Sequence, residues 1–226
     1  MQEYFYGTGR IRALEARMLS AAQITRMAAA PDFKSAYAVL MESAYAEHLS
    51  HLKQPFNFEE LAELELLALK DLMDFIAPGN EVIRVLFKKY DYLNLKILFR
   101  AFYNGQKEIE HYSRISTVSF EKLRLQVFEE TKVIDDQDLL AAIAAAKEAY
   151  KAKGGFRALD LALNEHYSAL LKTLPLLRLE KAKYMIGGIE PLAGFLLAKE
   201  NETKTIRFIL ICKKNNVDRA SIESYV

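Results

Sequence analysis

The sequence predicts an all-α fold, and three observations carry that reading. Apolar residues make up 51% of the 226-residue chain, and they recur at three- and four-residue steps along most of its length. Only nine glycines and five prolines are present, and they fall largely where those apolar stripes stop. A helix-and-stop pattern also occurs twice, as KKYDYLNLKILFRAFYNG from Lys88 to Gly105 and as KENETKTIRFILICKKNN from Lys199 to Asn216. Laid over each other, Lys88 matches Lys199, Asp91 matches Glu202, Leu95 matches Ile206, Lys96 matches Arg207 and Leu98 matches Ile209. Both copies close on a pair suited to a left-handed helix cap, Asn104-Gly105 and Asn215-Asn216. A fainter copy opens the chain, with Ile11, Arg12 and Leu14 where Leu95, Lys96 and Leu98 fall. Repetition of this kind predicts similar helical units and a surface of shape and charge rather than a catalytic pocket.

The elements follow in order. Thr8 reads as the N-cap of a helix from Gly9 to about Ala30, with Ile11, Leu14, Met18 and Ala22 on its apolar face. Pro31-Asp32 breaks it and starts a second helix that ends near His48. After the Gln54-Pro55 loop, Asn57 caps FEELAELELLALKDLMDFIA, with Glu60 at the capping-box position. Pro78-Gly79 stops that helix and Asn80 caps the next, Glu81 to Asn104. Two stripes run along this one, Val82, Leu86, Tyr90, Leu93 and Ile97 in the first and Leu95, Leu98 and Phe102 in the second, which predicts packing on two sides. Helices are expected over Ser119 to Glu130, Asp136 to Lys153 (ended by Gly154-Gly155), Phe156 to Leu174 (broken by Pro175) and Pro191 to Lys214, with Asp218 capping a short terminal one. FILIC is β-prone but lies inside a helical pattern, so the expectation is about eight to ten helices and no sheet. The loop from Gln106 to Val118 is the clearest change of composition and divides the chain into repeat units 1–106 and 107–226.

Charge is nearly balanced, 31 basic against 30 acidic residues for a formal net charge of +1, so neither a nucleic-acid nor an anionic-membrane field is expected. The single cysteine, Cys212, excludes an intramolecular disulfide framework and, inside FILIC, reads as a buried inert thiol. No stretch approaches the ~20 apolar residues that span a bilayer, and MQEYFYGTGR has no apolar core of a signal peptide. A cytoplasmic protein without a transmembrane segment is expected.

No catalytic, cofactor-binding or metal-binding set emerges. Gly7-Thr8-Gly9 lacks the third glycine and the preceding strand of a dinucleotide loop, and reads instead as a helix start. His48 and His51 have a spacing that can hold a metal, but they are not HExxH and lie beside the Pro55 loop, where a solvated helix end is the ordinary explanation. Asn164-Glu165-His166 is a polar stripe, and the inward ExxH motifs of a di-iron bundle are absent. The charges that interrupt the repeated helices carry more. Asp91, Asn94, Lys96 and Arg100 in the first copy, Glu200, Glu202, Lys204 and Arg207 in the second, and Arg10 and Arg12 in the opening segment form a candidate partner interface. Solvated faces and i,i+4 pairs such as Glu200–Lys204 explain charges worth only tenths of a kcal/mol. Recurrence at matched positions points further, either to polar joints between helices or to a shared docking surface.

Three segments, YGTGRIRALEARMLS, FKKYDYLNLKILFRAFYNG and GIEPLAGFLLAKENETKTIRFILICKKNN, resemble the C subunit of bacterial and archaeal V-type (A/V-type) ATPases, the counterpart of the d subunit in eukaryotic vacuolar ATPases. The resemblance implies a funnel-shaped all-α protein of quasi-equivalent helical bundles on the cytoplasmic face of the membrane. It implies a non-catalytic, cofactor-free part that receives the rotor shaft, subunits D and F, and sits on the membrane proteolipid ring during proton or sodium transport. The family usually has three repeats, and residues 106 to 190 hold no recognisable further copy, which implies a short form with an open-sided funnel. The alternative is a helical-repeat adaptor of another cytoplasmic complex derived from the same fold.

Overall fold

The computed structural model describes residues 4–175 and 179–225, apart from the side chains of Leu49 and Lys153. Among the described residues there are ten α-helices, two 3-10 segments and no strand. The α-helices are α1 (Phe5–Glu15), α2 (Ala21–Ala29), α3 (Phe33–Leu40), α4 (Phe58–Ile76), α5 (Glu81–Tyr103), α6 (Phe120–Phe128), α7 (Gln137–Lys153), α8 (Phe156–Thr173), α9 (Glu190–Lys214) and α10 (Arg219–Glu223). The 3-10 segments are Ala44–His51 and Leu179–Tyr184.

Most boundaries sit where the sequence signals put them. Asp32, Asn57, Asn80, Ser119, Asp136 and Asp218 each accept the backbone N–H three residues on, closing one of the orphan donors of a helix start. Leu174, held extended before Pro175, ends α8. The two repeated stops are the same motif atom for atom. Gly105 N–H donates to Phe102 O and Gln106 N–H to Ala101 O, while Asn216 N–H donates to Lys213 O and Val217 N–H to Cys212 O. Gly105 and Asn216 both take positive φ, 68° and 55°, as this cap requires.

Four readings need correction. Gly9 to Ala30 is not one helix but α1 and α2, because Ser20 and Gln23 form a reciprocal capping box that starts α2 afresh. Thr8 is no N-cap; it lies buried inside α1, whose cap is Tyr4. The second helix stops at Leu40, where the Ser43 hydroxyl donates to Leu40 O and accepts Tyr45 N–H, and a 3-10 segment carries the chain to His51. The Asn57–Glu60 contact also differs from a full capping box. Glu60 accepts from Asn57 Nδ2 and from Lys53 N–H.

The chain forms two compact units, Met1–Pro78 with Arg178–Val226 and Gly79–Leu177. This grouping by compactness does not coincide with the division at residue 106, which follows repetition instead. In the first unit α1, α3 and α4 pack against α9, and Met27, Leu40, Leu61, Ile206 and Ile209 lie at the centre. Cys212 is buried at the same core's edge. In the second unit α5 packs against α6 and α8, and α7 lies on α8. Leu95, Leu98, Phe99, Leu123, Leu139 and Leu159 fill that core, each fully buried side chain contributing about 1.5–3 kcal/mol. Of the two stripes expected on α5, Leu95 and Leu98 are buried to the last atom, whereas Leu93 and Phe102 face solvent.

Candidate functional site

The repeated charges fall on α5 and α9, the longest helices of the two units, and most of their acidic members point inward. On α5, Asp91 and Asn94 are wholly buried. Asp91 accepts the Thr117 hydroxyl at 2.6 Å and the Val118 N–H at 2.9 Å. One turn further, Asn94 makes a reciprocal pair with the backbone of Ser113, donating to its carbonyl and accepting its N–H, both at 2.8 Å. Together they fasten the end of the loop from Gln106 to Val118, immediately before Ser119 caps α6. Burial pushes the Asp91 carboxyl up to about 6, against the opposing pull of its hydrogen bonds and of Lys88.

Lys88, also without solvent exposure, sends its ammonium to Asp136 at 2.7 Å and Asp138 at 3.1 Å. Asp136 caps α7 through the Leu139 N–H, so the lysine ties α5 to the start of α7. Burial works to raise the Asp136 pKa, but the Lys88 ammonium, the Leu139 N–H and Arg84 carry it below the ordinary value.

On α9, Lys199 and Glu202 occupy the matched positions and are buried as well. Glu202 accepts the Leu19 N–H at 2.6 Å and the Tyr45 hydroxyl at 3.1 Å. Leu19 immediately precedes Ser20, the cap of α2, just as Val118 precedes Ser119. The acid three residues after the lysine therefore holds the same backbone donor, one residue before a serine cap, in both copies. Lys199 bridges Glu202 at 2.8 Å and Glu65 of α4 at 2.7 Å, with its ammonium 4.4 Å from the Tyr45 ring centroid. Glu65 reaches on to His48 Nε2 at 2.7 Å. Burial and the Glu202 carboxylate raise the Tyr45 pKa strongly, so the phenol stays a donor.

Other candidate residues stay nearer the surface. Arg12 is half-buried, paired with Glu15, and donates to Ala182 O and Met185 O, which ties α1 to the 3-10 segment Leu179–Tyr184. Lys96 donates to Asn164 Oδ1 at 2.7 Å, Arg100 pairs with Asp160 and Arg207 with Glu59. Arg10 and Lys204 are exposed, while Glu200 is buried. Asp91, Asn94 and Glu202 are thus engaged inside their own units, whereas Arg10, Arg100, Lys204 and Arg207 are presented to solvent. Sequence reasoning missed the partners Leu19, Tyr45, Glu65, Ser113, Thr117, Val118, Asp136 and Asp138. A signal for two of them was present: Leu19-Ser20 and Val118-Ser119 both put an apolar residue and a serine at a helix start.

Gly7 and Thr8 belong to α1, and a Cβ at Gly7 would sit 3.3 Å from Ile76 Cδ1, so this glycine allows close helix packing. His48 faces Glu65 rather than His51, and among the described residues no group of three or more His, Cys, Asp or Glu side chains is placed to hold a metal.

A family model described as ATP synthase (C/AC39) subunit matches residues 8–174. The C subunit of the A-type ATP synthase of Methanocaldococcus jannaschii is 25% identical over 186 residues, covering 76% of this chain and 47% of its own length. Its counterpart from Thermococcus gammatolerans is 26% identical over 118 residues, 51% of this chain and 32% of its own length. The chain spans about half the length, or less, of these curated relatives. With well over half of its residues matched by the family model, and with an all-helical fold of the kind the resemblance implies, the chain belongs to the ATP synthase (C/AC39) subunit family.

Proposed function

We propose that this chain is a non-catalytic coupling part of an A/V-type ATP synthase or ATPase, linking the rotor shaft, subunits D and F, to the membrane proteolipid ring during proton or sodium transport. The observation that carries the reading is the paired joint. In each unit a buried acid, three residues after a buried lysine, clamps the start of a serine-capped helix to the longest helix. A part that transmits torque must resist bending, and buried polar joints fix helix register in a way that apolar packing alone does not. The outward charges Arg10, Arg100, Lys204 and Arg207 then remain for docking against shaft or ring. In this reading 1–106 and 107–226 are the two repeat copies, each closing on its signature stop. No described helix is long and apolar enough to cross a membrane. In the coupling role the protein would sit peripherally, on the cytoplasmic face, through its partners.

Affinity purification of the tagged chain from its native membranes tests this. Recovery of subunits D and F together with the proteolipid ring is the expected result. A preparation that recovers neither, but a different cytoplasmic assembly, would establish the adaptor alternative instead.

A further inference from the structure

The first unit carries an open cleft of about 720 Å³ where the end of α9 meets the starts of α3 and α4. Its charge is one-sided: Lys34, Arg207, Lys213 and Lys214 line it against two carboxylates, Asp32 and Glu59. Those carboxylates are already engaged, Asp32 by the Ser35 N–H as the cap of α3 and Glu59 by Arg207 at 2.8 Å. Lys213 is the telling group. It is 7% exposed, and its ammonium donates to Ala30 O at 2.6 Å, with no carboxylate in an ion pair with it among the described residues. The carbonyl ends of α2 and α9 offset part of its charge, but a buried ammonium with one neutral acceptor still leaves donors and charge unmatched. Lys34 and Lys214 stand exposed on the same rim.

The walls are apolar. Phe33, Phe56, Phe58 and Leu210 line the cleft beside the lysines. Phe56 is held at φ 63°, a conformation that costs a phenylalanine free energy, and its half-exposed ring stacks edge-on against Tyr37 at 5.2 Å and Phe33 at 6.4 Å. An inorganic anion would use the lysines and leave these rings uncovered. We infer that this cleft binds an acidic peptide segment of a partner protein, one whose carboxylates meet Lys34, Lys213 and Lys214 while its large apolar side chains cover Phe33 and Phe56. Charge complementarity selects the occupant and the aromatic wall holds it. The inference stands on the cleft alone and does not require the coupling role proposed above.

The chain has no tryptophan, so a tryptophan in a probe peptide reports binding without background. The probe is a hexapeptide alternating glutamate with leucine and one tryptophan, titrated with the whole protein, beside its glutamine counterpart. Saturable binding of the glutamate peptide is expected, weakened about tenfold or more in the glutamine peptide and in Lys34→Glu/Lys214→Glu, since loss of two favourable charge contacts reaches that scale. Both substituted lysines are exposed, and the circular dichroism of the variant should match the parent. Absence of saturable binding, or equal binding by the double variant, overturns the inference. Displacement of the peptide by millimolar inorganic phosphate at constant ionic strength overturns it too, because the site would then be one for small anions.

Discussion

Lys88 and Lys199 stand at the same place in α5 and α9, and each is followed three residues later by a buried acid that holds the backbone just before a serine cap. The chemistry around them nevertheless differs. In the second unit the lysine and the acid part company: Lys88 goes to Asp136 and Asp138 at the start of α7, and Asp91 is satisfied by a hydroxyl and an N–H. In the first unit they pair directly, and the pair extends through Glu65 to His48 and through Glu202 to Tyr45. Repetition has thus kept the positions and the job of fastening the next helix, while the counter-charges have been supplied locally. The first joint is one connected ionic network, the second two separate contacts, and they should fail differently.

Lys199→Met should be the most damaging change. It leaves the buried Glu202 and the partly buried Glu65 as neighbouring carboxylates without their shared cation, and breaking a buried pair of this kind costs about 3–5 kcal/mol. A fall in the urea midpoint of that size, partly recovered by adding Glu202→Gln, is the expected outcome. If the double variant is as unstable as the sum of the singles, Lys199 and Glu202 do not act as one network.

Lys88→Met comes next, at about 1–3 kcal/mol, because Asp138 is half-exposed and Asp136 keeps its own N–H and the positive end of α7. An equilibrium denaturation showing it as costly as Lys199→Met would erase the contrast between the two joints.

Asp91→Asn should cost about 1–2 kcal/mol near neutral pH, since an amide that accepts the Thr117 hydroxyl turns its NH₂ towards the Val118 N–H. Its pH signature separates it from the others. The folded carboxyl titrates at about 6 against an ordinary 3.8, so between those values the native state binds more protons than the unfolded chain. Stability from this group is therefore greatest below pH 3.8 and declines as pH rises through 6, on the order of 2–3 kcal/mol in all. Differential stability of parent and variant measured from about pH 4 to 7 should show that slope. Its absence would mean that Asp91 remains ionised throughout.

How much of this was legible in the sequence follows from where each signal lives. Caps such as Asn80, Ser119 and Asp136, and the twin stops at Gly105 and Asn216, depend on residues within a few positions of one another, and sequence order is enough to find them. The break between α1 and α2 is hidden because Ala-rich apolar spacing runs through it, and the capping box of Ser20 and Gln23 outweighs that periodicity. The joints themselves could be only half read. The recurrence of Lys and Asp/Glu is visible, but Tyr45 and Leu19 lie 157 and 183 residues from Glu202, a distance no local pattern spans. The outward or inward sense of Asp91 and Glu202 is equally hidden, because a charged residue in an amphipathic helix reads alike whether it meets water or a buried donor.

The smallest effect on stability belongs to the outward pair of matched positions, Lys96 and Arg207. Arg207 and Glu59 are both more than half exposed, and such pairs contribute about 0–1 kcal/mol. The Lys96 ammonium donates to the exposed Asn164. Charge reversal at either should therefore leave helicity and the urea midpoint nearly unchanged, within about 1 kcal/mol. If these positions dock against the rotor shaft or the ring, the same variants should lose co-purification with those partners, and the loss should deepen as salt falls and like charges are less screened. A variant that unfolds would put Lys96 or Arg207 with the inner joints after all. One that folds and still recovers every partner would show that the repeated helices present their docking charge elsewhere, leaving Arg10, Arg100 and Lys204 as the residues to reverse next.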